Sequence, residues 1–197
     1  IHPQKWPEDL DYSGKKMVVI GSGATAATIL PSVAKDAAHV TQLQRSPSYY
    51  MALDNSAEDE LIEELRALDT PLDWIHGIKR RKMLEFSREM TERSKTEPDA
   101  VRKELIEAAR EALPEGFDVE KHFAPSYSPW KERLCLLPDG DMFAAIKSGK
   151  ASVATDEIER FTEKGIQLKS GDYLEADIIV AATGIELCGL GDIAYTV

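Results

Sequence analysis

The sequence has few of the features that mark a membrane, secreted or metal-binding protein. Its 197 residues include only two cysteines and four histidines, and the histidines are scattered. No apolar run approaches the roughly 18 residues of a membrane-spanning helix. The first residues show no basic segment followed by an apolar one, as a signal peptide would. These absences predict a globular, cytoplasmic protein with no membrane span and no bound metal.

Acidic residues outnumber basic ones in this sequence. The chain has 35 acidic and 24 basic residues, which gives a net charge of −11. An acidic chain is a poor partner for nucleic acid, so we expect none. Because the chain is acidic overall, any phosphate site must be basic only locally.

The two cysteines, Cys135 and Cys188, are far apart and form no Cys-x-x-Cys pair, which indicates reduced and packed thiols.

The most informative segment covers residues 16–30. An apolar run at 17–20 enters a Gly-x-Gly-x-x-Ala turn, and helix-forming residues rich in alanine and threonine follow. A dinucleotide fingerprint requires this order of strand, turn and helix. Gly21 permits the tight turn, Gly23 lets a pyrophosphate approach the backbone, and Ala26 keeps helix and strand close. The alternative is a tight turn that binds nothing. The cofactor-binding residues predicted here are Gly21, Ser22, Gly23, Ala24, Thr25 and Ala26.

The pattern of apolar residues predicts an α/β fold, with a Rossmann-like parallel sheet, a small antiparallel meander and a helical insertion. Strands at 16–21 and 39–45 flank a helix at 24–37, and a βαβ unit of this length forces a parallel pair. Helices are expected at 57–68, 72–95, 99–112 and 141–148, with a loop at 117–130. Short strands are expected at 151–155, 158–162, 165–168 and 173–174, the meander covering about 151–175, and a buried parallel strand at 177–184.

The second strand ends in Gln44, Arg45 and Ser46. NAD-specific folds place a carboxylate about 20 residues past the glycines to bind the ribose 2′-hydroxyl. Here an arginine and a hydroxyl stand instead, and a guanidinium matches a phosphate through two parallel hydrogen bonds. These three residues are therefore predicted to bind the cofactor, which favours NADP(H) over NAD. The alternative for Arg45 is a surface arginine at a strand end.

The last strand closes with Thr183 and Gly184. In a doubly wound sheet its carboxyl end lies beside the fingerprint turn, where ligands bind. Both residues are therefore predicted to contact the cofactor. A second Gly-x-Gly-x-x-Ala motif begins at Gly189, and we interpret it as a turn.

Several separate motifs agree in order with one known family. The fingerprint turn, the Gln-Arg-Ser-Pro that follows it, the helical insertion and the terminal Ala-Thr-Gly strand resemble the NADPH domain of flavin-dependent monooxygenases. The His-x-x-x-Trp-Pro at residues 2–7 resembles the second half of the type I Baeyer–Villiger monooxygenase fingerprint. The run at 127–141 is similar to the branch that contains the ethionamide-activating monooxygenases. The resemblance implies an NADPH-binding part of an FAD-dependent oxidoreductase that oxygenates ketones or sulfur compounds.

The resemblance also implies roles for single residues. Arg133 falls on the family's active-site arginine, where a guanidinium that keeps its proton stabilises the anions that develop during oxygen transfer. Lys131 is a candidate for the 2′-phosphate. His2 and Trp6 belong to a linker between domains in the family, which implies a conformational role; a frayed terminus is the alternative in this chain.

One departure from the family sets the expected domain organisation. Complete members have an earlier Gly-x-Gly-x-x-Gly for FAD, and this sequence, which does not begin with Met, has none. We therefore expect a linker at 1–15 and an NADP-binding domain at 16–197 with a helical insertion at about 56–130. The FAD domain would be absent, and the chain alone would be inactive. The alternatives are a domain of an N- or S-oxidising flavin-containing monooxygenase and a non-catalytic NADP-binding module.

Overall fold

The structure, a computed structural model, describes residues 1–54, 60–185, 191 and 193. Its contacts separate the chain into two compact units. The first unit contains Ile1–Arg45 and Lys150–Val197, and the second contains Ser46–Gly149. The second Gly-x-Gly-x-x-Ala motif and Cys188 fall outside the described residues.

A four-stranded parallel sheet forms the centre of the first unit, in the order β5-β2-β1-β9. Its strands are β1 (Lys16–Ile20), β2 (His39–Gln44), β5 (Ala151–Thr155) and β9 (Ile178–Ala181). Val18 lies opposite Thr41 of β2 and Ile179 of β9, so β1 is a central strand. Its residues Met17, Val18 and Val19 are at most 1% exposed. Burial on both faces explains the continuous apolar run in the sequence. The predicted parallel sheet is confirmed.

Helix α1 (Ala24–Val33) connects β1 to β2. Its buried residues include Ala26, Ala27, Leu30 and Val33, and small side chains at the first two let the helix pack closely on the sheet. The helix ends four residues before the predicted end at 37. The chain has to turn back there, because the N–H of Ala38 already bonds to the carbonyl of Lys15 at the start of β1.

Three antiparallel strands form the meander: β6 (Ile158–Thr162), β7 (Gly165–Leu168) and β8 (Tyr173–Glu175). Ile166 and Leu168 of β7 pack in one core cluster with Val18 and Leu43 of the parallel sheet. The expectation that the meander begins at about 151 was wrong. Residues 151–155 form β5, which pairs in parallel with β2. This strand follows a helix, and a strand reached through a helical connection is placed in parallel.

The second unit contains five helices among its described residues and one parallel strand pair. The elements are β3 (Tyr49–Leu53), α2 (Glu60–Ala67), α3 (Leu72–Thr96), α4 (Pro98–Ala112), α5 (Val119–Phe123), β4 (Leu134–Pro138) and α6 (Asp141–Lys147). Strand β3 was not predicted, since it is short and its partner β4 lies far along the chain. The predicted loop at 117–130 contains α5, whose first turn is capped by the carboxylate of Asp118.

Candidate functional site

The turn after β1 is built so that only glycine fits its first position. Gly21 has φ = +133°, a conformation that residues with a side chain rarely adopt. A Cβ atom there would lie 2.4 Å from the carbonyl oxygen of Ala182, which follows β9. The approach is this close because the N–H of Ala182 bonds to the carbonyl of Ile20 at 2.8 Å, which extends the pairing of β9 with β1. The turn therefore lies directly against the carboxyl end of β9.

Helix α1 begins just after this turn. Gly23 is the N-cap residue, with φ = −89° and ψ = −180°, and no side chain caps the helix. The first backbone bond of the helix runs from the N–H of Ala27 to the carbonyl of Gly23 at 3.1 Å. The earlier N–H groups of the first turn have no acceptor within the helix. Ala24 and Thr25 are exposed there. The positive end of the helix dipole favours an anion at this place.

The end of β2 separates the roles of two predicted residues. Gln44 is 1% exposed, and its side-chain amide donates to Oγ1 of Thr155 at 2.9 Å and accepts from Gln42 at 3.0 Å. These bonds hold the side chain of Gln44 inside the sheet. Arg45 follows directly and is exposed. Of the two predicted cofactor-binding residues, Arg45 is therefore the one whose side chain can reach a ligand.

The carboxyl end of β9 completes this edge of the sheet. Thr183 and Gly184 are both exposed there. His2 is anchored beside them, because its Nε2 lies 3.0 Å from the carbonyl oxygen of Gly184. The N–H of Ala181 also bonds to the carbonyl of Ile1 at 2.9 Å. The structure thus brings the fingerprint turn and the carboxyl ends of β2 and β9 to one edge of the parallel sheet. His2, from the His-x-x-x-Trp-Pro segment, lies beside the end of β9.

The sequence did not predict a surface depression that lies beside α1. An open depression of about 480 Å³ lies beside the first turns of α1. Its lining residues are Pro3, Trp6, Ala24, Thr25, Thr28 and Ile29. The indole of Trp6 also makes an edge-on contact with Tyr12, at a ring distance of 6.4 Å. The first residues are therefore held by specific contacts rather than frayed. The helical spacing of Thr25, Thr28 and Ile29 could have indicated this face.

The remaining predicted residues belong to the second unit. Strands β3 and β4 run in parallel, with Tyr49 opposite Leu134. Ser46 lies three residues before β3 and Arg133 one residue before β4, so both approach the same end of the strand pair. Lys131 precedes Arg133 in a turn closed by the bond from the Lys131 N–H to the carbonyl of Ser128 at 3.1 Å. Ser46, Lys131 and Arg133 are all exposed.

Buried groups fix the loop that carries Arg133. The hydroxyl of Tyr127 donates to the carbonyl of Arg133 at 3.0 Å, and the carbonyl of Tyr127 accepts from the hydroxyl of Tyr49 at 2.7 Å. Burial raises the pKa of the Tyr127 phenol. Burial likewise raises the pKa of the thiol of Cys135, the cysteine that the structure describes. Both groups therefore stay protonated at neutral pH.

Within the described ranges, no group of three or more histidine, cysteine, aspartate or glutamate side chains could hold a metal ion. No helix in that part of the chain is long and apolar enough to cross a membrane.

Comparison with known proteins finds relatives that match the whole chain. The FAD-containing monooxygenase EthA of Mycolicibacterium smegmatis is 51% identical over 197 residues, which cover 100% of this chain and 39% of the relative. The chain is homologous to the FAD-containing monooxygenases. The probable FAD-binding monooxygenase AlmA of Acinetobacter baylyi is 48% identical over 198 residues, with coverage of 100% and 39%. The resemblance found in the sequence is confirmed, and the chain spans 39% of the length of each of these two monooxygenases.

A solved structure confirms the fold of this chain. Cyclohexanone monooxygenase from Rhodococcus sp. Phi1 bound to NADP+ superposes with a TM-score of 0.66 and 22% sequence identity. The superposition covers 93% of this chain and 41% of the cyclohexanone monooxygenase. No protein-family model matches the sequence.

Proposed function

We propose that this chain binds NADP(H), as the NADP(H)-binding part of an FAD-dependent monooxygenase. The fingerprint turn carries the proposal: Gly21 is held at φ = +133° against the carbonyl of Ala182, and α1 begins three residues later without a side-chain cap. This is the geometry that places a pyrophosphate over the N-terminus of a helix. The NADP+ bound by a cyclohexanone monooxygenase of the same fold supports the choice of ligand.

The residues around the turn divide the work of binding. The first-turn N–H groups of α1 would hold the pyrophosphate, and Thr183 with Gly184 would form the opposite wall. The guanidinium of Arg45 and the hydroxyl of Ser46 would bind the 2′-phosphate. We assign a second cationic contact with that phosphate to Lys131.

We assign the chemistry to the whole protein of which this chain would be a part. When bound, NADPH and FAD supply the hydride and the oxygen activation that monooxygenation requires. Arg133 would stabilise the negative charge that develops on oxygen, because its planar guanidinium does not lose its proton. The cyclohexanone monooxygenase of the same fold supports a ketone as substrate. A sulfur compound stays a second prediction, as do a cytoplasmic location and the lack of a nucleic-acid partner.

Titration with both nicotinamide cofactors tests the proposal. We expect NADPH to quench the tryptophan fluorescence of the chain in a saturable manner and to bind at least tenfold more tightly than NADH. We also expect the chain to stay colourless after incubation with FAD and gel filtration. Equal affinities for NADPH and NADH, or no binding of either cofactor, would contradict the NADP(H) assignment. A yellow protein that retains stoichiometric flavin would contradict the expectation that FAD binds to another part of the whole protein.

A further inference from the structure

A single phenol contacts the residues that lead into two parallel strands, β3 and β4. The hydroxyl of Tyr127 donates to the carbonyl oxygen of Arg133, six residues later, at 3.0 Å. The same hydroxyl interacts with the side chain of Ser48 and the backbone of Tyr49, and these interactions lower its pKa against the larger effect of burial. One side chain therefore connects the start of β3, just after Ser46, to the start of β4, just after Arg133.

A second layer holds Tyr127 in place. The hydroxyl of Tyr49, which is 1% exposed, donates to the carbonyl of Tyr127 at 2.7 Å and accepts from Nη1 of Arg102 at 2.8 Å. The same nitrogen of Arg102 bonds to the carbonyl of Pro125. The rings of Tyr49 and Tyr127 pack edge-to-face with centroids 5.3 Å apart. The hydrogen bond from the buried Tyr49 hydroxyl, the bonds from Arg102 and this ring contact leave the phenol little freedom.

The loop between these anchors has a strained residue. Trp130 has φ = +62°, although it carries a large side chain and is 43% exposed. Such a conformation persists only where the surroundings impose it. The two backbone carbonyls bonded by the tyrosine hydroxyls, at Tyr127 and Arg133, lie on either side of Trp130. The anchors can therefore maintain the strained turn, which would otherwise relax and move the residues that follow it.

We propose that Tyr127 is a positioning residue, which sets the backbone of Arg133 and of the segment after Ser46 in one fixed geometry. The inference rests on the proposed function, since it needs Arg133 to act in oxygenation and Ser46 to act in binding the 2′-phosphate. Through its bond to the Arg133 carbonyl, the phenol fixes the position of the backbone from which the Arg133 side chain extends. Through Ser48 and Tyr49, it fixes the chain that follows the phosphate-binding residues.

The test compares Tyr127→Phe with Tyr173→Phe in the full-length protein. Tyr173 is the matched control, because its hydroxyl bonds to Oγ1 of Thr162 at 2.7 Å within the meander of the first unit. We expect Tyr127→Phe to lower oxygenated product per NADPH consumed about five- to tenfold, the scale of one lost hydrogen bond. The KM for NADPH should rise several-fold while the KM for NADH stays unchanged. Tyr173→Phe should change none of these values.

A double variant separates positioning from a general loss of structure. If Tyr127 acts through Arg133, adding Tyr127→Phe to Arg133→Ala should lower product yield no further. An additive loss in the double variant would overturn the inference. Equal effects of Tyr127→Phe and Tyr173→Phe would overturn it as well. In both cases the proposed function stands if Arg133→Ala abolishes oxygenation. A normal yield from Arg133→Ala alone would instead contradict the role of Arg133. If Tyr127→Phe does not fold, Tyr49→Phe removes the bond to the Tyr127 carbonyl and should give the same pattern; a normal yield there would overturn the inference.

Discussion

Nε2 of His2 lies 3.0 Å from the carbonyl oxygen of Gly184, although 182 residues separate them in the chain. Each residue belongs to a motif identified independently in the sequence, the His-x-x-x-Trp-Pro segment and the terminal Ala-Thr-Gly strand. The contact places the first motif beside the carboxyl end of β9, next to the fingerprint turn. The linker role that the family implies for His2 would therefore be exercised at the edge where we propose that the cofactor binds.

The first prediction concerns the stability of the fingerprint turn. Gly21→Ala would put a Cβ atom 2.4 Å from the carbonyl oxygen of Ala182 and force a side chain to adopt φ = +133°. We expect a loss of about 3 kcal/mol or more of unfolding free energy, as for a strained backbone with a steric clash. Urea unfolding followed by circular dichroism measures it. Gly149→Ala is the control, since Gly149 has φ = +76° but open space around it, and should cost about 1–2 kcal/mol. Equal losses would show that the contact with Ala182 is unimportant.

The second prediction separates binding from folding at Gly23. Its φ of −89° is open to any residue, so its backbone conformation does not require glycine. Gly23→Val should therefore fold but lose NADPH binding, because the branched side chain would occupy the space that we assign to the pyrophosphate. The measurement is an NADPH titration by fluorescence, with a thermal melt of the same sample. Undiminished affinity in a folded variant would mean that the turn is purely structural.

The third prediction assigns cofactor preference to Arg45. Arg45→Ala should weaken NADPH by about 1.5–3 kcal/mol, the scale of a hydrogen bond to a charged group, and leave NADH nearly unchanged. The matched control is Arg160→Ala, another exposed arginine of the first unit, in β6. Its removal should leave both affinities alone. A loss of equal size for NADPH and NADH would show that Arg45 does not read the 2′-phosphate.

The fourth prediction concerns Arg133 in the full-length protein. Arg133→Ala should still bind NADPH, but oxygenated product should fall by about two orders of magnitude, the scale of one lost preorganised charge-stabilising donor. Arg133→Lys should rescue poorly, because an ammonium does not replace the planar fork of donors. Stopped-flow cofactor oxidation and product yield are measured separately on each variant. A normal product yield from Arg133→Ala would make this residue an ordinary loop arginine.

The fifth prediction is a pH dependence. Burial, and to a lesser degree the charge of Lys121, lowers the pKa of His122, while Asp118 acts in the opposite direction. The folded protein therefore favours the neutral ring, and the unfolded chain takes up the proton first, near pH 6.5. The stability that results is fully present above that pH and is lost as the pH falls through the lowered folded-state pKa. Unfolding free energies of the wild type and His122→Gln, measured from pH 7.5 to 5, should converge on acidification. An unchanged difference between the two proteins over this pH range would contradict the prediction.

Local sequence patterns were enough to predict the β1-α1-β2 unit. The apolar run of β1, the glycines after it and the small residues of α1 are read from neighbouring positions in the chain, and their geometry follows from local sterics. Strand β3 and the place of β5 were not predictable in this way. The partner of β3 is β4, and residues 151–155 resemble the start of the meander until their pairing with β2 is known.

The sequence by itself determined the fold class, the resemblance to flavin-dependent monooxygenases and the residue types that a dinucleotide site requires, because each of these depends on short-range spacing and on recognisable motifs. Only the tertiary structure decided that the side chain of Gln44 is held inside the sheet while Arg45 is exposed. It also decided that His2 meets Gly184 and that Tyr127 holds the carbonyl of Arg133. Contacts of this kind are set when parallel strands align their ends, and no local pattern encodes the distances that result.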